Sequence, residues 1–400
     1  MSKYSKAGVD FDKEHDVVDI FRSLYEKTLP FTKDLEKYGI TFPEQGSDFS
    51  GGFQINIKKL QNQGIENVVE KECVDGPGSK PIVHALYNEN NILKLGCTAI
   101  DSIAMSVNDL ICSGARPVTL TEYHAWNFPN MKIAKQLAEG NYIGAKLSGA
   151  TIIGGENASL SNIITGPIAV KAYDMCHIAH GIILDNDLIE NPLGKERVKP
   201  GDVIIGFSSS GIHCNGVTLA WKTAIDYDNK GYSEAYKINK KLDSLGESVA
   251  EALLTPTIIY VKPALNLLTL YGHAVKAIAN ITGEGVQNIR RVLPEKMGLE
   301  LDYSQRYAKK PHLIFKWIQE NAQVSDKEMY KDYNMGTGMI AIVEKNSALE
   351  IIEHLDFLGN LQPDFQKFSA HLLGDIIKDK DELIKIITYK GTEESYSKKD

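Results

Sequence analysis

The chain has 400 residues, enough for two or three domains, and its 43% hydrophobic and 24% charged residues are typical of a soluble globular protein. A net charge of −8 argues against a broad nucleic-acid-binding surface, and five scattered cysteines without a CxxC pair support neither a disulfide framework nor a zinc knuckle. Because the polar N-terminal segment is unlike a signal peptide and no apolar run approaches the roughly 18 residues of a membrane span, the sequence predicts a cytoplasmic protein with neither nucleic-acid nor membrane partners.

Helices are predicted first in the N-terminal half. Apolar residues at steps of three and four indicate helices over residues 16–25, within 97–117 and over 133–147. The last of these carries Gly140 and Gly144 one turn apart, and such small residues predict close packing of this helix on a sheet.

Strands and a domain break are predicted around these helices. A glycine turn leads into a short strand within residues 47–57, and an apolar run predicts a buried strand over 150–156. A charged Pro-Gly segment then gives way to a new strand over 203–207, which indicates a second domain from about residue 199. The polar segment 391–400 is predicted to be disordered. The sequence thus predicts two α+β domains with mainly β-strand cores.

Glycine-rich loops with polar or charged neighbours are the candidate sites of chemistry. Glycine lets backbone N–H groups turn towards an anion, and a following helix adds its partial positive end. Mg²⁺ prefers carboxylate oxygens together with substrate phosphates, and Asp75, Asp109 and Glu156 lie nearest to these turns. The residues alone therefore predict binding of a phosphorylated ligand with Mg²⁺. The stretches concerned are "DGPGSK", "VNDL", "GGENAS", "SSSGIHCNG" and "ITGEG".

Each of these residues also has a structural interpretation. A single glycine-rich loop is more often a turn than an anion site. Asp109 is as readily a solvated helix residue, His213 a hydrogen-bonded loop histidine, and Asp101 a structural partner inside its helix. Residue patterns alone leave these alternatives open.

Eight stretches in order resemble the phosphoribosylformylglycinamidine cyclo-ligase family, also called aminoimidazole ribonucleotide synthetase. The resemblance runs from about residue 5 to about residue 378. It implies an α+β fold with two domains, 1–198 for ATP binding and dimerisation and 199–400 as a C-terminal α+β sandwich. N-terminal strands would form a dimer barrel, with ATP and substrate between the domains. The stretches are "KAGVDFD", "DGPGSK", "AMSVNDL", "GGE", "SSSGIHCNG", "TPTIIYVK", "ITGEG" with "NIRRVLP", and "NMGTGM".

The resemblance also implies a reaction and residue roles. The implied enzyme is a homodimer that uses ATP and Mg²⁺ to cyclise formylglycinamidine ribonucleotide to aminoimidazole ribonucleotide in purine biosynthesis. Matching motifs nominate Asp109, Glu156 and His213 as catalytic residues, and Asp75 and Asp109 as the metal ligands. The residues nominated for ATP or phosphate are Asp75, Gly76, Gly78, Ser79, Lys80, Asn108, Asn215 and Gly283.

Two segments depart from the family pattern. "GGENASLSN" lacks the family's threonine, second glutamate and M-P-G, while Asn280 replaces a histidine and Glu284 a glycine in "NITGEG". These changes leave two alternatives: an ATP-dependent relative that activates a different amide, or a non-catalytic nucleotide-binding paralogue. Selenophosphate synthetase, hydrogenase-maturation proteins and thiamin-monophosphate kinase share the fold, but their characteristic residues are absent from this sequence.

Overall fold

The computed structural model describes residues 11–43, 50–304 and 312–400. The chain forms two compact units: unit 1 comprises Met1–Leu110 and Ala115–Glu190, and unit 2 comprises Ile111–Gly114 and Asn191–Asp400. The predicted boundary after residue 198, and the functions assigned to the two domains, stay predictions. Most of the "KAGVDFD" stretch and the beginning of segment 47–57 lie outside the described residues.

Unit 1 contains a four-stranded sheet in the order β3-β6-β4-β5, in which only β4 and β5 are parallel. A two-stranded pair, β1 and β2, packs near a small core of Leu35, Ile40, Val118 and Ile182. The strands are β1 Ile40–Thr41, β2 Gln54–Ile55, β3 Val69–Asp75, β4 Arg116–Trp126, β5 Thr151–Ser159 and β6 Tyr173–Ile183. The helices are α1 Phe11–Arg22, α2 Leu24–Thr28, α3 Ile57–Gln61, α4 Lys80–Leu86, α5 Ile92–Cys112, α6 Met131–Ser148 and α7 Asn186–Glu190, with 3₁₀ segments at Leu29–Tyr38 and Ala169–Lys171.

The two faces of this sheet differ. Helices α5 and α6 lie on one face, where Ser106 Oγ donates to the His177 carbonyl and Asn141 Nδ2 donates to Glu122. The other face exposes apolar side chains: Val74 is 62% exposed, and its register partner Ile178 is 39% exposed. Unit 1 therefore has one covered sheet face and one open, partly apolar face.

Helix α5 is the central helix of unit 1. Its 21 residues are long and apolar enough to cross a membrane, contrary to the prediction that no apolar run approaches the length of a membrane span. However, 89% of its most apolar 18-residue window is buried inside the protein, as in a core helix. The glycines of α6 pack against this helix and not on the sheet as predicted, because a Cβ on Gly140 would overlap the Gly96 carbonyl and one on Gly144 would lie 2.7 Å from Ile103 Cδ1. The helix–helix contact is therefore closer than larger side chains would allow.

Unit 2 is built on a seven-stranded sheet in the order β13-β12-β9-β11-β7-β10-β8, antiparallel except for the β12–β9 pair. Its strands are β7 Val203–Ser208, β8 Val275–Asn280, β9 Met297–Asp302, β10 Thr337–Val343, β11 Ala370–Lys378, β12 Ile384–Ile387 and β13 Glu393–Tyr396. Its helices are α8 Val217–Ala224, α9 Tyr227–Lys230, α10 Val249–Leu253, α11 Val261–Tyr271, α12 Leu313–Asn321, α13 Asp326–Asp332 and α14 Ala348–Asn360, with 3₁₀ segments at Gly231–Asn239, Gly285–Val292, Lys345–Ser347 and Asp364–Gln366.

The predicted disorder of segment 391–400 is wrong. Strand β13 pairs with β12 from Tyr396 opposite Ile384 to Glu393 opposite Ile387. The Tyr396 side chain is fully buried, and its hydroxyl donates to the Lys327 carbonyl at 2.7 Å. A single buried aromatic residue and the backbone hydrogen bonds of a hairpin order a segment whose composition is polar.

Candidate functional site

The glycine-rich loop of unit 1 joins β3 to α4. Asp75 ends the strand, and its Oδ1 accepts a 2.7 Å hydrogen bond from the Gly76 N–H. A Cβ on Gly76 would lie 2.8 Å from the Met175 carbonyl oxygen, and Gly78 has a φ of 59°. Both positions need glycine, because one approaches another backbone closely and the other lies in the left-handed region. The loop thereby fixes the orientation of the Asp75 carboxylate.

Asp75 and Asp109 are near enough to interact electrostatically. Burial raises the pKa of Asp75, the hydrogen bond from Gly76 lowers it, and the negative charge of Asp109 raises it further. Burial and the same two carboxylates raise the pKa of Cys73 to about 11. Two mutually repelling carboxylates in a half-buried setting form a site that a cation would stabilise.

The donor set around Asp75 fits Mg²⁺ held jointly by protein and ligand. In the three described stretches of chain, no three His, Cys, Asp or Glu side chains come together in a way that could hold a metal ion. Mg²⁺ commonly takes only one or two carboxylates from the protein and its other oxygens from phosphates and water. The pair Asp75 and Asp109 meets that requirement, whereas the described residues form no metal cage built entirely by the protein.

Lys80 lies in the interior of unit 1. Its side chain is fully buried, and its Nζ is 2.8 Å from the equally buried Asp101 Oδ2. The structural interpretation of Asp101 agrees with this ion pair. The structure thus places the Lys80 ammonium against a carboxylate, and its contact with a phosphate stays a prediction. Ser79 precedes α4 without a side-chain capping hydrogen bond, and Asn108 is buried on α5.

Glu156 does not join the two aspartates. Register places Asp75, His177, Glu122 and Gly155 in one row across the sheet. Because successive strand residues point to opposite faces, Glu156 projects from the other face, and its side chain is exposed. Its predicted catalytic role stays a prediction.

Sequence reasoning missed a buried ionisable cluster in the same row as Asp75. Glu122 Oε2 is 3.4 Å from His177 Nε2 and 3.9 Å from His124 Nε2, and all three side chains are nearly or fully buried. Burial raises the pKa of Glu122 to about 7 and lowers the pKa values of His124 and His177 to about 4 and 3. The one signal in the sequence was the placement of Glu122, His124 and His177 within strands whose remaining residues are mostly apolar.

This cluster connects to the glycine-rich loop through one serine. Ser102 Oγ lies 2.9 Å from His177 Nδ1 and donates to the Asp75 carbonyl at 3.3 Å. If the Ser102 hydroxyl donates to Asp75, the His177 Nδ1–H donates to Ser102, and His177 Nε2 then faces Glu122 as an acceptor. His177 Nε2 lies 3.4 Å from Glu122 Oε2 but has no hydrogen-bond partner among the described residues. The hydrogen-bonded chain therefore runs from His177 through Ser102 to the Asp75 backbone carbonyl, with Glu122 beside its buried end.

In unit 2 the segment Ser209–Gly216 carries two predicted residues. His213 has a φ of 55°, and its Nε2 accepts from the Ser210 N–H at 3.3 Å. Asn215 is buried, and within the described residues its Nδ2 has no hydrogen-bond partner. A Cβ on Gly283 would lie 3.7 Å from Asn215 Oδ1. Asn215 and Gly283 are therefore neighbours, and the Asn215 amide is a donor that a ligand would satisfy.

Residues 334–338, here called loop 334–338, comprise the turn before β10 and the first two residues of that strand, and they contact the segment Ser209–Gly216. Asn334 Oδ1 accepts from Ser209 Oγ at 3.0 Å, and Asn334 Nδ2 donates to the Gly211 carbonyl at 2.9 Å. A Cβ on Gly338 would lie 2.5 Å from His213 Cε1. Loop 334–338 thus fixes the backbone that precedes His213, and its Gly338 packs closely against the imidazole ring of His213.

The two substituted positions beside Gly283 have different environments. Asn280 is buried at the end of β8. Glu284 is 68% exposed, and its carboxylate lies 3.9 Å from the equally exposed Arg291. The Glu284 charge is therefore solvated and balanced by a neighbouring cation, which reduces the repulsion of an anion that its sequence position had suggested.

Both halves of the chain match known families. Residues 74–172 match the family described as AIR synthase related protein, N-terminal domain, and residues 199–359 match AIR synthase related protein, C-terminal domain. A phosphoribosylformylglycinamidine cyclo-ligase of Methanococcus maripaludis is 42% identical over 283 residues, 70% of this chain and 72% of that protein. One of Desulfotalea psychrophila is 31% identical over 382 residues, 95% of this chain and 94% of that protein.

Solved structures share the fold at low sequence identity. E. coli HypE, a hydrogenase maturation protein, superimposes with a TM-score of 0.55 at 15% identity, over 94% of this chain and 95% of that one. Thiamine-monophosphate kinase from Stenotrophomonas maltophilia gives a TM-score of 0.54 at 14% identity, over 91% and 95%. The structural likeness identifies the fold, and the sequence relatives decide among its families. The chain belongs to the phosphoribosylformylglycinamidine cyclo-ligase family.

Proposed function

We propose that this protein catalyses the ATP-dependent cyclisation of formylglycinamidine ribonucleotide to aminoimidazole ribonucleotide, a step of purine biosynthesis. The observation that carries the proposal is the 31% identity to a cyclo-ligase across 95% of this chain and 94% of the relative. The fold is also that of a hydrogenase maturation protein solved in complex with ATP, which covers 95% of this chain with a TM-score of 0.56 at 12% identity. That structure supports ATP as the co-substrate.

The formyl amide oxygen of the substrate is a poor leaving group, and phosphorylation by ATP converts it into a good one. The formyl amide oxygen attacks the γ-phosphorus of ATP, ADP leaves, and an iminophosphate forms. The amidine nitrogen then attacks the activated carbon within the same molecule, the ring closes, and inorganic phosphate departs with the former amide oxygen. The protein needs no covalent step of its own. Its contribution is to hold the reacting atoms together and to neutralise phosphate charge.

In unit 1, we assign Asp75 and Asp109 to Mg²⁺, which would screen the phosphate oxygens of ATP when bound. Their proximity and the raised pKa of Asp75 support this role. We assign phosphate contacts to the loop 76–80 and to Asn108. Asp109 would also act in catalysis, and the exposed Glu156 carboxylate is assigned a catalytic role on the motif match alone.

In unit 2, we assign His213 to catalysis and Asn215 and Gly283 to phosphate contacts. The buried Asn215 amide without a partner in the described chain and the close approach of Gly283 support the phosphate role. The strained backbone at His213, whose φ is 55°, supports a functional role because such conformations persist only where the surroundings enforce them.

We also propose a homodimer that forms through the open sheet face of unit 1. Val74, Tyr123 and Ile178 are 62%, 38% and 39% exposed on that face. An apolar strand surface of this kind is typical of a protein interface, and a second copy would cover it. The cytoplasmic location and the absence of nucleic-acid and membrane partners remain predictions.

The decisive experiment uses the purified full chain with ATP, Mg²⁺ and a panel of amide substrates. We expect ADP release and formation of aminoimidazole ribonucleotide from formylglycinamidine ribonucleotide. Formylglycinamide ribonucleotide is the matched control, because it has an amide in place of the amidine and therefore lacks the ring-closing nucleophile. ADP release with a different amide, and none with formylglycinamidine ribonucleotide, would contradict the proposed substrate.

A further inference from the structure

The hairpin at residues 384–396, here called the C-terminal hairpin, lies beyond the residues that match the family's C-terminal domain, which end at residue 359. It consists of β12, β13 and their connecting loop, and it joins the sheet through parallel pairing of β12 with β9. Its connecting loop carries Tyr389, which reaches loop 334–338. The hairpin therefore contacts loop 334–338, which holds the segment Ser209–Gly216 in place.

Two hydrogen bonds and two aromatic contacts fix Tyr389. Its hydroxyl donates to the Met335 carbonyl at 3.0 Å, and its N–H donates to the Tyr330 hydroxyl at 2.9 Å. Its ring centroid is 5.7 Å from that of Tyr303 and 6.4 Å from that of Tyr330. Because the ring is held by packing, the hydroxyl is presented to Met335 in one position.

Met335 occupies a backbone conformation that needs such support. Its φ is 46°, in the left-handed region that a residue with a side chain rarely adopts. The next residue, Gly336, donates its N–H to Asn334 Oδ1 and accepts from the Ser209 N–H, both at 2.9 Å. A change of conformation at Met335 would therefore disturb the hydrogen bonds that hold the segment leading to His213.

A second contact ties the hairpin to the segment after Gly283. Arg290 lies on the 3₁₀ segment Gly285–Val292, which follows Gly283. Its guanidinium donates to the Tyr396 carbonyl at 2.7 Å and to the Glu382 carbonyl at 2.5 Å. The C-terminal hairpin thus contacts both loop 334–338 and the segment that follows Gly283.

We propose that Tyr389 is a positioning residue that keeps loop 334–338 in its ligand-binding conformation. It acts through Met335 and Asn334 and touches no reacting atom. The kinetic part of this inference rests on the proposed function. Where only a fraction of molecules has the binding-competent loop, the apparent affinity falls by that fraction, while bound molecules react normally.

The test is Tyr389→Phe, which keeps the ring and removes the hydroxyl. We expect the KM for ATP to rise about 10-fold with kcat changed less than about 2-fold, as expected for a smaller binding-competent fraction. In the free protein, we expect amide hydrogen exchange of peptides covering residues 334–338 to become about 10-fold faster, because local opening governs this exchange. The exchange measurement needs no turnover, so it tests the inference even if the proposed reaction fails.

Tyr396→Phe is the matched control. Tyr396 lies in the same hairpin and also donates to a backbone carbonyl, but that carbonyl belongs to Lys327 on α13 and not to loop 334–338. We expect this variant to leave the KM for ATP and the exchange of residues 334–338 at wild-type values. Unchanged exchange in Tyr389→Phe, or equal effects of the two substitutions, would overturn the positioning role and leave the hairpin a general stabilising element.

Discussion

Lys80 ends the glycine-rich loop of unit 1, and its ammonium lies in the interior, 2.8 Å from Asp101 Oδ2. Both side chains are fully buried, and a buried charge is stable only beside a compensating partner such as this one. A sequence pattern that ends in lysine suggests a cation reaching outward to an anion. In this structure the ammonium lies beside Asp101, and the ion pair links the start of α4 to α5.

We expect Asp101→Asn to lower the free energy of unfolding by about 3–5 kcal/mol, because it removes the buried carboxylate that lies 2.8 Å from the buried Lys80 ammonium. Urea denaturation of the purified protein measures this change. Glu344→Gln is the control, since the Lys276–Glu344 pair has the same 2.8 Å separation but a half-exposed carboxylate, and its loss should cost less than about 1 kcal/mol. Equal losses in the two variants would argue against a larger contribution from the buried pair.

Asp109→Asn tests the cation site. We expect turnover to fall about 10²-fold or more, because one electrostatic contributor to phosphate transfer is lost. The pKa of Asp75 should also fall, since the Asp109 charge raises it in the wild type. NMR titration of the Asp75 carboxyl measures that shift without turnover. Exposed Asp187→Asn is the control, and wild-type turnover in a folded Asp109→Asn protein would return Asp109 to the solvated-helix interpretation.

Glu122 gives the stability of the protein a pH dependence of defined sign. Burial raises its pKa from 4.5 to about 7, so the folded state keeps a proton that the unfolded state releases. This contribution to stability is present below pH 4.5 and is lost as the pH rises through about 7. We expect Glu122→Gln to remove this loss, because glutamine does not titrate. Between pH 4.5 and about 7, the free energy of unfolding of the variant should therefore rise relative to that of the wild type by about 3 kcal/mol.

Urea denaturation at several pH values measures this difference. Both proteins keep His177, whose pKa is lowered by burial, so its contribution largely cancels in the comparison. The Glu122 charge raises the pKa of His124, so a separate His124→Asn background measures the contribution of that histidine. Exposed Glu139→Gln on α6 is the matched control and should leave the pH dependence unchanged. A difference between Glu122→Gln and wild type that stays constant from pH 4.5 to 7.5 would mean that Glu122 titrates normally.

At the scale of elements, the spacing of apolar residues predicted helices correctly, because the apolar face of a helix is encoded within one short segment of sequence. Helix α6 runs from Met131 to Ser148, against a prediction over 133–147, and α5 contains its predicted segment as far as Cys112. The C-terminal hairpin was missed because its last strand is four mainly polar residues whose order depends on β12. Local composition cannot reveal a strand that is stabilised by a partner and by one buried tyrosine.

In the candidate site too, some features could be predicted from the sequence and others could not. The proximity of Asp75 and Asp109 followed from motif order, because the resemblance carried the family's spatial arrangement with it. Glu122 and His177 could not be paired from sequence, since they lie on β4 and β6 and meet only through the strand register. Contacts across a sheet between distant segments are set by register, and register depends on the whole sheet.

The α5–α6 contact gives a prediction at this scale. An added methyl group on Gly140 would overlap the Gly96 carbonyl and lie 2.9 Å from Ala99 Cβ. Alanine favours an isolated helix by about 1 kcal/mol over glycine, but overpacking should cost about 1–3 kcal/mol. We expect Gly140→Ala to be net destabilising by thermal denaturation. Gly52→Ala, with open space around its Cβ, is the control, and a stabilised Gly140→Ala protein would show that the helices separate freely.

At the scale of the whole molecule, the open sheet face of unit 1 predicts an oligomer. We expect light scattering at micromolar concentration to give twice the chain mass of 44.3 kDa. Ile178→Lys places a charge in the apolar face and should shift the mass towards one chain, because burying an unpaired charge is costly. Leu349→Lys, at a 76% exposed position of unit 2, should leave it unchanged. A wild-type mass of one chain would exclude the dimer.

The position of β13 at one end of the seven-stranded sheet also affects how copies of the protein behave when crowded. A free strand edge is a template on which another chain can add by backbone hydrogen bonding, and long apolar edges promote fibril growth. Here the outermost strand has four residues and begins with Glu393 and Glu394. Short length and adjacent like charges discourage such intermolecular pairing, so the same hairpin that reaches the site loop also protects this edge of the sheet against the addition of another chain.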